Sequence, residues 1–418
     1  MSAHRPFAGA LPYGVRDLFL EEAAQLAALE DTWRRLFESW AYVPVIPPTY
    51  ELYDVLLVGS GVELEQQVFR VLDREGNILA LRSDLTTQVA RIVGTKLADQ
   101  PSPLRFYYQA SVYRYEEPQA GREREFRQAG IELIGAAGAE ADSEVLIVAI
   151  EALRRAGLRR FRINLGHLGV FRALAAEAAL PSPALEAVRA ALNRKDSAGL
   201  CEALEVAGVT DTVAAPLQRL PALCGGPEVL VEAERLATHS GLQAAVRRLA
   251  AIHETLSQRG LAEHVIFDLG DTRGMDYYTG IAFEGFAPGL GFPLCGGGRY
   301  DELIGRYGAP RPAVGAALLT ERVRLALNGA CPAGGSPDLL VSAAVASACW
   351  REIEDLRALG WRVEVDVLDR DEAALREAAR ASGSRTRVAL AAAEGRVLVL
   401  HSDETRWLTW RELQEARP

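Results

Sequence analysis

The order of secondary-structure signals restricts this chain more than any single motif does. Strand-rich segments occupy both flanks of a long Ala- and Leu-rich stretch, and the strands come in blocks. Tyr42–Ile46 is a β-rich run closed by Pro47 and Pro48, which cannot continue a helix. Residues 68–81 read as a hairpin turning through Asp73-Arg74-Glu75-Gly76-Asn77, and 104–114 and 126–134 as two further strands. Residues 171–264 read as mostly helical, with a cap-like Ser182-Pro183. Strand signals return at 265–269 and 281–286. Helices are expected at 21–40, at 143–156 and near 316–327.

Such blocks argue against the βαβ alternation of parallel sheets. No P-loop occurs, and no G-x-G-x-x-G lies between a strand and a helix, so a P-loop ATPase or nucleotide dehydrogenase is disfavoured. The expected fold is α+β: an antiparallel sheet flanked by helices and interrupted by a helical insertion. Residues 329–337, rich in Gly, Pro and Ala, read as a linker. Beyond it, 339–341, 362–365 and 397–400 read as strands of a small C-terminal α/β domain. The expected division is 1–170 (core, first part), 171–264 (insertion), 265–330 (core, second part) and 331–418 (C-terminal domain).

Composition narrows the function. With 418 residues and a net charge of −10, the chain lacks the basic balance of a dedicated RNA binder. The five scattered cysteines, an odd count, make no C-x-x-C pair, and the histidines make no H-x-x-H or H-E-x-x-H pattern. No metal, no cofactor and no disulfide framework is expected, and a reducing cytoplasm fits best. Residues 1–10 show no signal-peptide pattern, and no long apolar run suggests a membrane span.

Three polar constellations stand out. Arg114 to Phe126 holds Arg114, Glu116, Glu117, Arg122, Arg124 and Glu125, and alternation along the next strand puts Gln128, Gly130 and Glu132 on one face. Arg114 can clamp a carboxylate or phosphate, and Gln128 and Glu132 can meet an amine or imidazole; a solvated, self-paired hairpin is the competing reading. Arg273-Gly274-Met275-Asp276-Tyr277-Tyr278-Thr279-Gly280, with Cys295-Gly296-Gly297-Gly298-Arg299-Tyr300-Asp301, offers close backbone approach and two aromatic walls, or simply a tight turn. Leu81-Arg82-Ser83-Asp84-Leu85-Thr86-Thr87-Gln88 read by itself is a capped helix start.

Taken together and in this order, these segments resemble the histidyl-tRNA synthetase family. Pro12, Gly14, Arg16 and Asp17 are similar to its opening P-x-G-x-R-D; Pro48 with Glu51 resembles class II motif 1, which builds the dimer interface in that class. Residues 114–126 resemble motif 2, Arg273–Gly280 and Cys295–Asp301 the two histidine-specific signatures, and 312–322 motif 3. The resemblance spans roughly residues 10–327 and implies a class II aminoacyl-tRNA synthetase-like sheet.

Four departures point to the synthetase-like regulatory subunit of ATP phosphoribosyltransferase. Leu319 replaces the motif 3 glycine against which adenine lies. Glu117 replaces a motif 2 arginine and reverses one charge near the phosphates. Leu81-Arg82-Ser83-Asp84-Leu85-Thr86 stands where a synthetase has L-R-P-E-G-T, and the D-x-T-x-Q version, Asp84 with Thr86 and Gln88, resembles the regulatory subunit. Residues 331–418 hold twelve arginines, no lysine and fifteen acidic residues, a poor anticodon-binding surface.

The resemblance implies a non-catalytic chain that assembles with a short-form ATP phosphoribosyltransferase catalytic subunit, as a homodimer within a hetero-oligomer, with histidine as feedback effector and no tRNA binding. Matching positions give an effector pocket: Asp84 for the α-amino group with Thr86 and Gln128 beside it, Arg114 for the carboxylate with Arg273 bordering it, and Glu132, Tyr277 and Tyr278 around the imidazole. Arg122, Arg124 and Arg322 match phosphate contacts and could retain them. The rival readings are an active histidine–tRNA ligase and a synthetase-like histidine or tRNA sensor.

Overall fold

The computed structural model describes residues 9–59, 66–116, 123–236, 240–274, 278–328, 337–382, 386–401 and 404–416. Tyr277, Arg122, Glu117 and most of the expected linker lie outside these residues. The chain divides into two compact units, residues 1–18 with 25–331, and residues 332–418 with 19–24.

The chain opens with α1 (Leu20–Ser39), whose residues 25–39 belong to the larger unit, and that unit continues with β1 (Val43–Pro44), β2 (Tyr50–Leu52), α2 (Tyr53–Gly59), β3 (Arg70–Leu72) and β4 (Ile78–Leu81). Next come α3 (Thr86–Lys96), β5 (Leu104–Tyr113), β6 (Glu125–Ile134), α4 (Ala139–Arg155) and β7 (Arg162–His167). The helical stretch is α5 (Leu168–Glu177), α6 (Ser182–Asn193), α7 (Ser197–Val206), α8 (Asp211–Arg219), α9 (Glu228–Leu236) and α10 (Ser240–Gln258), with β8 (Cys224–Gly225) inside it. The unit closes with β9 (Val265–Asp268), β10 (Ile281–Phe286), β11 (Cys295–Arg299), β12 (Ala313–Leu319) and α11 (Thr320–Ala326).

A nine-stranded sheet runs β1-β5-β6-β12-β11-β10-β7-β9-β8. It is antiparallel from β5 through β7, with parallel pairs β1–β5 and β7–β9 towards its two edges. A separate three-stranded sheet holds β2-β4-β3. One face of the large sheet is a helix-covered core. In α1, Leu26, Leu29, Trp33, Leu36 and Phe37 recur at helical spacing and are buried, and Trp33 Nε1 donates to Ala152 O at 2.9 Å. The same core takes Ala129, Ile131 and Leu133 of β6, Val314, Ala316 and Leu318 of β12, and the buried side of α4. On the other face, Leu85, Val89 and Val93 pack with Tyr108, Val112, Phe126 and Ile134.

The smaller unit carries β13 (Leu339–Val341), α12 (Ala343–Ala348), α13 (Trp350–Ala358), β14 (Val363–Val365), α14 (Glu372–Ser382), β15 (Arg387–Ala393), β16 (Arg396–His401), β17 (Glu404–Thr409) and α15 (Trp410–Glu415). Its sheet order is β14-β13-β15-β16-β17, parallel across β14-β13-β15 and antiparallel beyond.

Several boundaries differ from expectation. Residues 316–327 are not one helix: Ala313–Leu319 is a strand between β11 and β6, and the helix starts at Thr320. That strand is covered on most of its length, so it reads as an unbroken apolar run, which periodicity cannot separate from a helix. Ser182 is the first helical residue, with Pro183 in the first turn and no side-chain cap bond. The helix expected at 143–156 begins earlier, at Ala139.

Candidate ligand cleft on the sheet

Strand register assembles the cleft. Glu132 on β6 stands opposite Phe106 on one side and Gly315 on the other; Gly315 stands opposite Gly298, and Gly298 opposite Ala282. In the next row Gly130 lies between Tyr108 and Ala317, Ala317 opposite Gly296, and Gly296 opposite Glu284. Side chains alternate between faces, so these residues share the face away from α1 and α4. From Glu132 across to Glu284 the sheet therefore presents only glycine and alanine. Three strand spacings separate β6 from β10, about 14 Å of bare floor. A small cleft opens there, with Thr86, Glu132, Tyr278 and Tyr300 around Gly296, Gly315 and Ala317.

The floor has no room for larger residues. A Cβ on Gly315 would overlap the Glu132 carboxylate and approach Ile131 O at 2.8 Å. A Cβ on Gly298 would lie 2.5 Å from Ile281 O and 2.7 Å from the Tyr278 ring.

Glu132 is fully buried. Its Oε1 accepts from the Thr86 hydroxyl at 2.6 Å and from the Tyr108 hydroxyl at 3.3 Å, and its Oε2 accepts from the Tyr300 hydroxyl. Burial pushes the carboxyl up to about 7; the Thr86 and Tyr300 hydroxyls pull it down, and the Asp84 charge pushes it up. Burial, with Glu132 beside it, also raises the Tyr278 and Tyr108 phenols, which stay protonated as donors.

The sequence-predicted residues divide into groups. Thr86, Glu132 and Tyr278 line the cleft together. Asp84 sits at the start of α3, where its Oδ1 accepts from the Thr87 N–H at 3.1 Å and the Thr87 hydroxyl at 2.7 Å. Arg114 is half-buried beneath that turn; its Nε donates to Ser83 O at 2.9 Å and its guanidinium lies 5.3 Å from the Phe126 ring centre. Gln128 is buried on the cleft face between Ala110 and Leu319, and its Oε1 has no hydrogen-bond partner among the described residues.

Arg273 stands beyond the floor. Its Nε and Nη2 donate to Asp271 at 2.9 and 2.6 Å, and its Nη1 pairs with Glu284 at 2.6 Å. Burial would raise the Asp271 carboxyl, but the Arg273 fork outweighs it and holds the group below its ordinary value. Arg124 stacks on the Tyr115 and Tyr13 rings at 4.2 and 5.0 Å and donates to Glu116 O. Arg322 donates to Pro293 O and lies over the Phe292 ring. Leu319 packs against the cluster around Phe126, and both carboxylate oxygens of Glu321 accept the Arg127 N–H at 3.0 Å.

Sequence reasoning missed Tyr108 and Tyr300 as carboxylate donors. Tyr300 is the next-to-last residue of the quoted C-G-G-G-R-Y-D segment, and Tyr108 lies at an even position of a strand whose even positions face the cleft. Among the described residues no cluster of His, Cys, Asp or Glu could hold a metal, and no helix is long and apolar enough to cross a membrane.

A family model described as histidyl-tRNA synthetase matches residues 14–323. A relative from Moorella thermoacetica, named ATP phosphoribosyltransferase regulatory subunit, is 41% identical over 372 residues, 88% of this chain and 96% of its own. One of the same name from Geobacter metallireducens is 39% identical over 378 residues, 89% of this chain and 87% of its own. A solved structure from Bacillus halodurans, described as an ATP phosphoribosyltransferase regulatory subunit/histidyl-tRNA synthetase, has a TM-score of 0.80 at 32% identity, covering 93% of this chain and 100% of that one. Both curated relatives carry the name of a regulatory subunit and not that of a tRNA ligase. On this sequence and structural likeness, the chain belongs to the family of ATP phosphoribosyltransferase regulatory subunits, built on the histidyl-tRNA synthetase fold.

Proposed function

We propose that this chain activates a short catalytic subunit of ATP phosphoribosyltransferase and that the Glu132 cleft binds histidine as the feedback effector. The observation that carries the effector reading is the buried Glu132 carboxylate, fixed by three hydroxyl donors at one end of a bare glycine floor. A carboxylate offers about four lone-pair positions, and those donors engage three. A ring N–H of histidine suits the remaining one, with Tyr278 as the wall beside the ring. Arg114 faces the ligand carboxylate with Arg273 bordering it, and Asp84 faces the ammonium, with Thr86 and Gln128 alongside. Arg124 and Arg322 each have partners within the chain, so a phosphate contact would have to displace or share them.

The homodimer reading rests on exposed apolar side chains near the motif 1 segment: Val43, Ile46, Tyr50, Leu52 and Leu72 all face solvent, Ile46 with 91% of its surface exposed.

The test is reconstitution. The catalytic subunit's joining of ATP to phosphoribosyl pyrophosphate should rise on addition of this chain, and histidine should then inhibit it. Calorimetry should show histidine binding to the chain, weakened roughly tenfold by Glu132→Gln. Wild-type protein that binds no histidine, alone or in complex, would refute the pocket. Robust histidine-dependent exchange of pyrophosphate into ATP by the chain alone would refute the regulatory reading.

A further inference from the structure

We infer that Asp271 sets how tightly the cleft holds a ligand carboxylate, by keeping the Arg273 guanidinium in a fork within the chain. The inference rests on the reading of the cleft as a histidine site. Arg273 turns its Nε and Nη2 edge to the two Asp271 oxygens at 2.9 and 2.6 Å. That edge is the one a ligand carboxylate would take in bidentate fashion. The remaining Nη1 pairs with Glu284 at 2.6 Å. Two carboxylates thus hold one guanidinium, and an arriving ligand carboxylate must displace Asp271 to take that edge.

The rim is close enough to matter. Glu284 stands opposite Gly296, which lines the cleft, so the Arg273 partner lies one strand spacing, about 4.8 Å, from the floor. The fork and the cleft wall also share a turn. Asp271 Oδ1 accepts the Arg273 N–H at 3.0 Å, Gly274 turns the chain with φ of 69°, and the Tyr278 N–H donates to Gly274 O at 2.8 Å. Arg273 is half exposed at this position, so its side chain can swing without unpacking a core. A ligand carboxylate and Asp271 therefore compete for one guanidinium edge.

Asparagine at 271 keeps the Oδ1 that closes the turn and removes the charge and the second acceptor. The experiment is calorimetry on the full chain with two probes, histidine and histidinol, which carries an alcohol in place of the carboxylate. Asp271→Asn should tighten histidine roughly three- to tenfold and leave histidinol unchanged. Arg273→Gln should weaken histidine alone, and the gain from Asp271→Asn should vanish in the Arg273→Gln background. An unchanged histidine affinity in Asp271→Asn overturns the inference and spares the histidine pocket. A gain shared equally by histidinol, or one that persists without Arg273, also overturns it. Binding of neither probe by wild type and Asp271→Asn overturns the inference and the pocket together.

Discussion

The two faces of the nine-stranded sheet are written in the same residues, alternately, yet they are made of opposite materials. On β6, Ala129, Ile131 and Leu133 enter the helix-covered core while Gln128, Gly130 and Glu132 face the cleft. On β12, Val314, Ala316 and Leu318 fill the core while Gly315 and Ala317 leave the floor bare. One face gains stability by removing apolar area from water. The other gives it up, holding open a floor and burying a carboxyl pushed up to about 7. The strands can bear that penalty because their reverse side is packed. The faces should therefore respond differently to substitution.

The largest stability effect belongs to the packed face. Ile131 is fully buried, and Ile131→Ala should destabilise the fold by about 2–5 kcal/mol in urea denaturation. The molecules that remain folded should bind histidine with nearly wild-type affinity in calorimetry. A parallel loss of binding would break the separation between the faces.

Glu132 should show the reverse, through pH. Its folded value of about 7 lies above the ordinary 4.5, so the folded state holds the proton more tightly than the unfolded chain. Stability therefore falls as pH rises from about 4.5 to about 7, by on the order of 3 kcal/mol at most, and levels off above. Glu132→Gln should flatten this slope in thermal melts across that range. An unchanged slope would mean that the carboxyl titrates normally.

A smaller effect tests the floor. Gly315→Ala places a methyl group against the Glu132 carboxylate and Ile131 O. Overpacking of this kind costs about 1–3 kcal/mol. Histidine binding should fall much further than stability does, since the methyl group displaces the carboxylate itself. Equal losses in both would say that the glycine serves the strand and not the cleft.

How much of this was legible in the sequence follows from the same alternation. The hairpin at 68–81 and strands β5, β6 and β10 were readable because turn residues or alternation mark them. β12, covered along most of its length, carries a pattern that reads equally as helix, and β15 and β17, in an Ala-rich and a charged stretch, carry no clear strand signal. Within the site, Thr86, Glu132 and Tyr278 were named from motif positions and do converge. The Tyr108 and Tyr300 hydroxyls were not found, because their link to Glu132 exists only once β5, β6 and β11 are in register. Nor could the sequence show that Arg273 is engaged twice within the chain, since that depends on where a turn and a neighbouring strand place two carboxylates.

The smallest expected change is the most discriminating, because it falls on a residue with two possible duties. Asp84 accepts the N–H and hydroxyl of Thr87, the work of a helix-start residue, and its charge also reaches Glu132. Asparagine is as good an acceptor in that position as aspartate, so Asp84→Asn should change stability by less than about 0.5 kcal/mol. If the carboxylate also holds the ligand ammonium, histidine affinity should drop roughly tenfold through the lost charge-assisted bond, while imidazole, which has no ammonium, should bind as before. With Asp84 neutral, the Glu132 carboxyl also loses one of the influences pushing it up, so its pH-dependent loss of stability should shrink slightly. Intact histidine affinity in a fully stable Asp84→Asn protein would confine Asp84 to the helix start and leave the ammonium to Gln128 and Thr86.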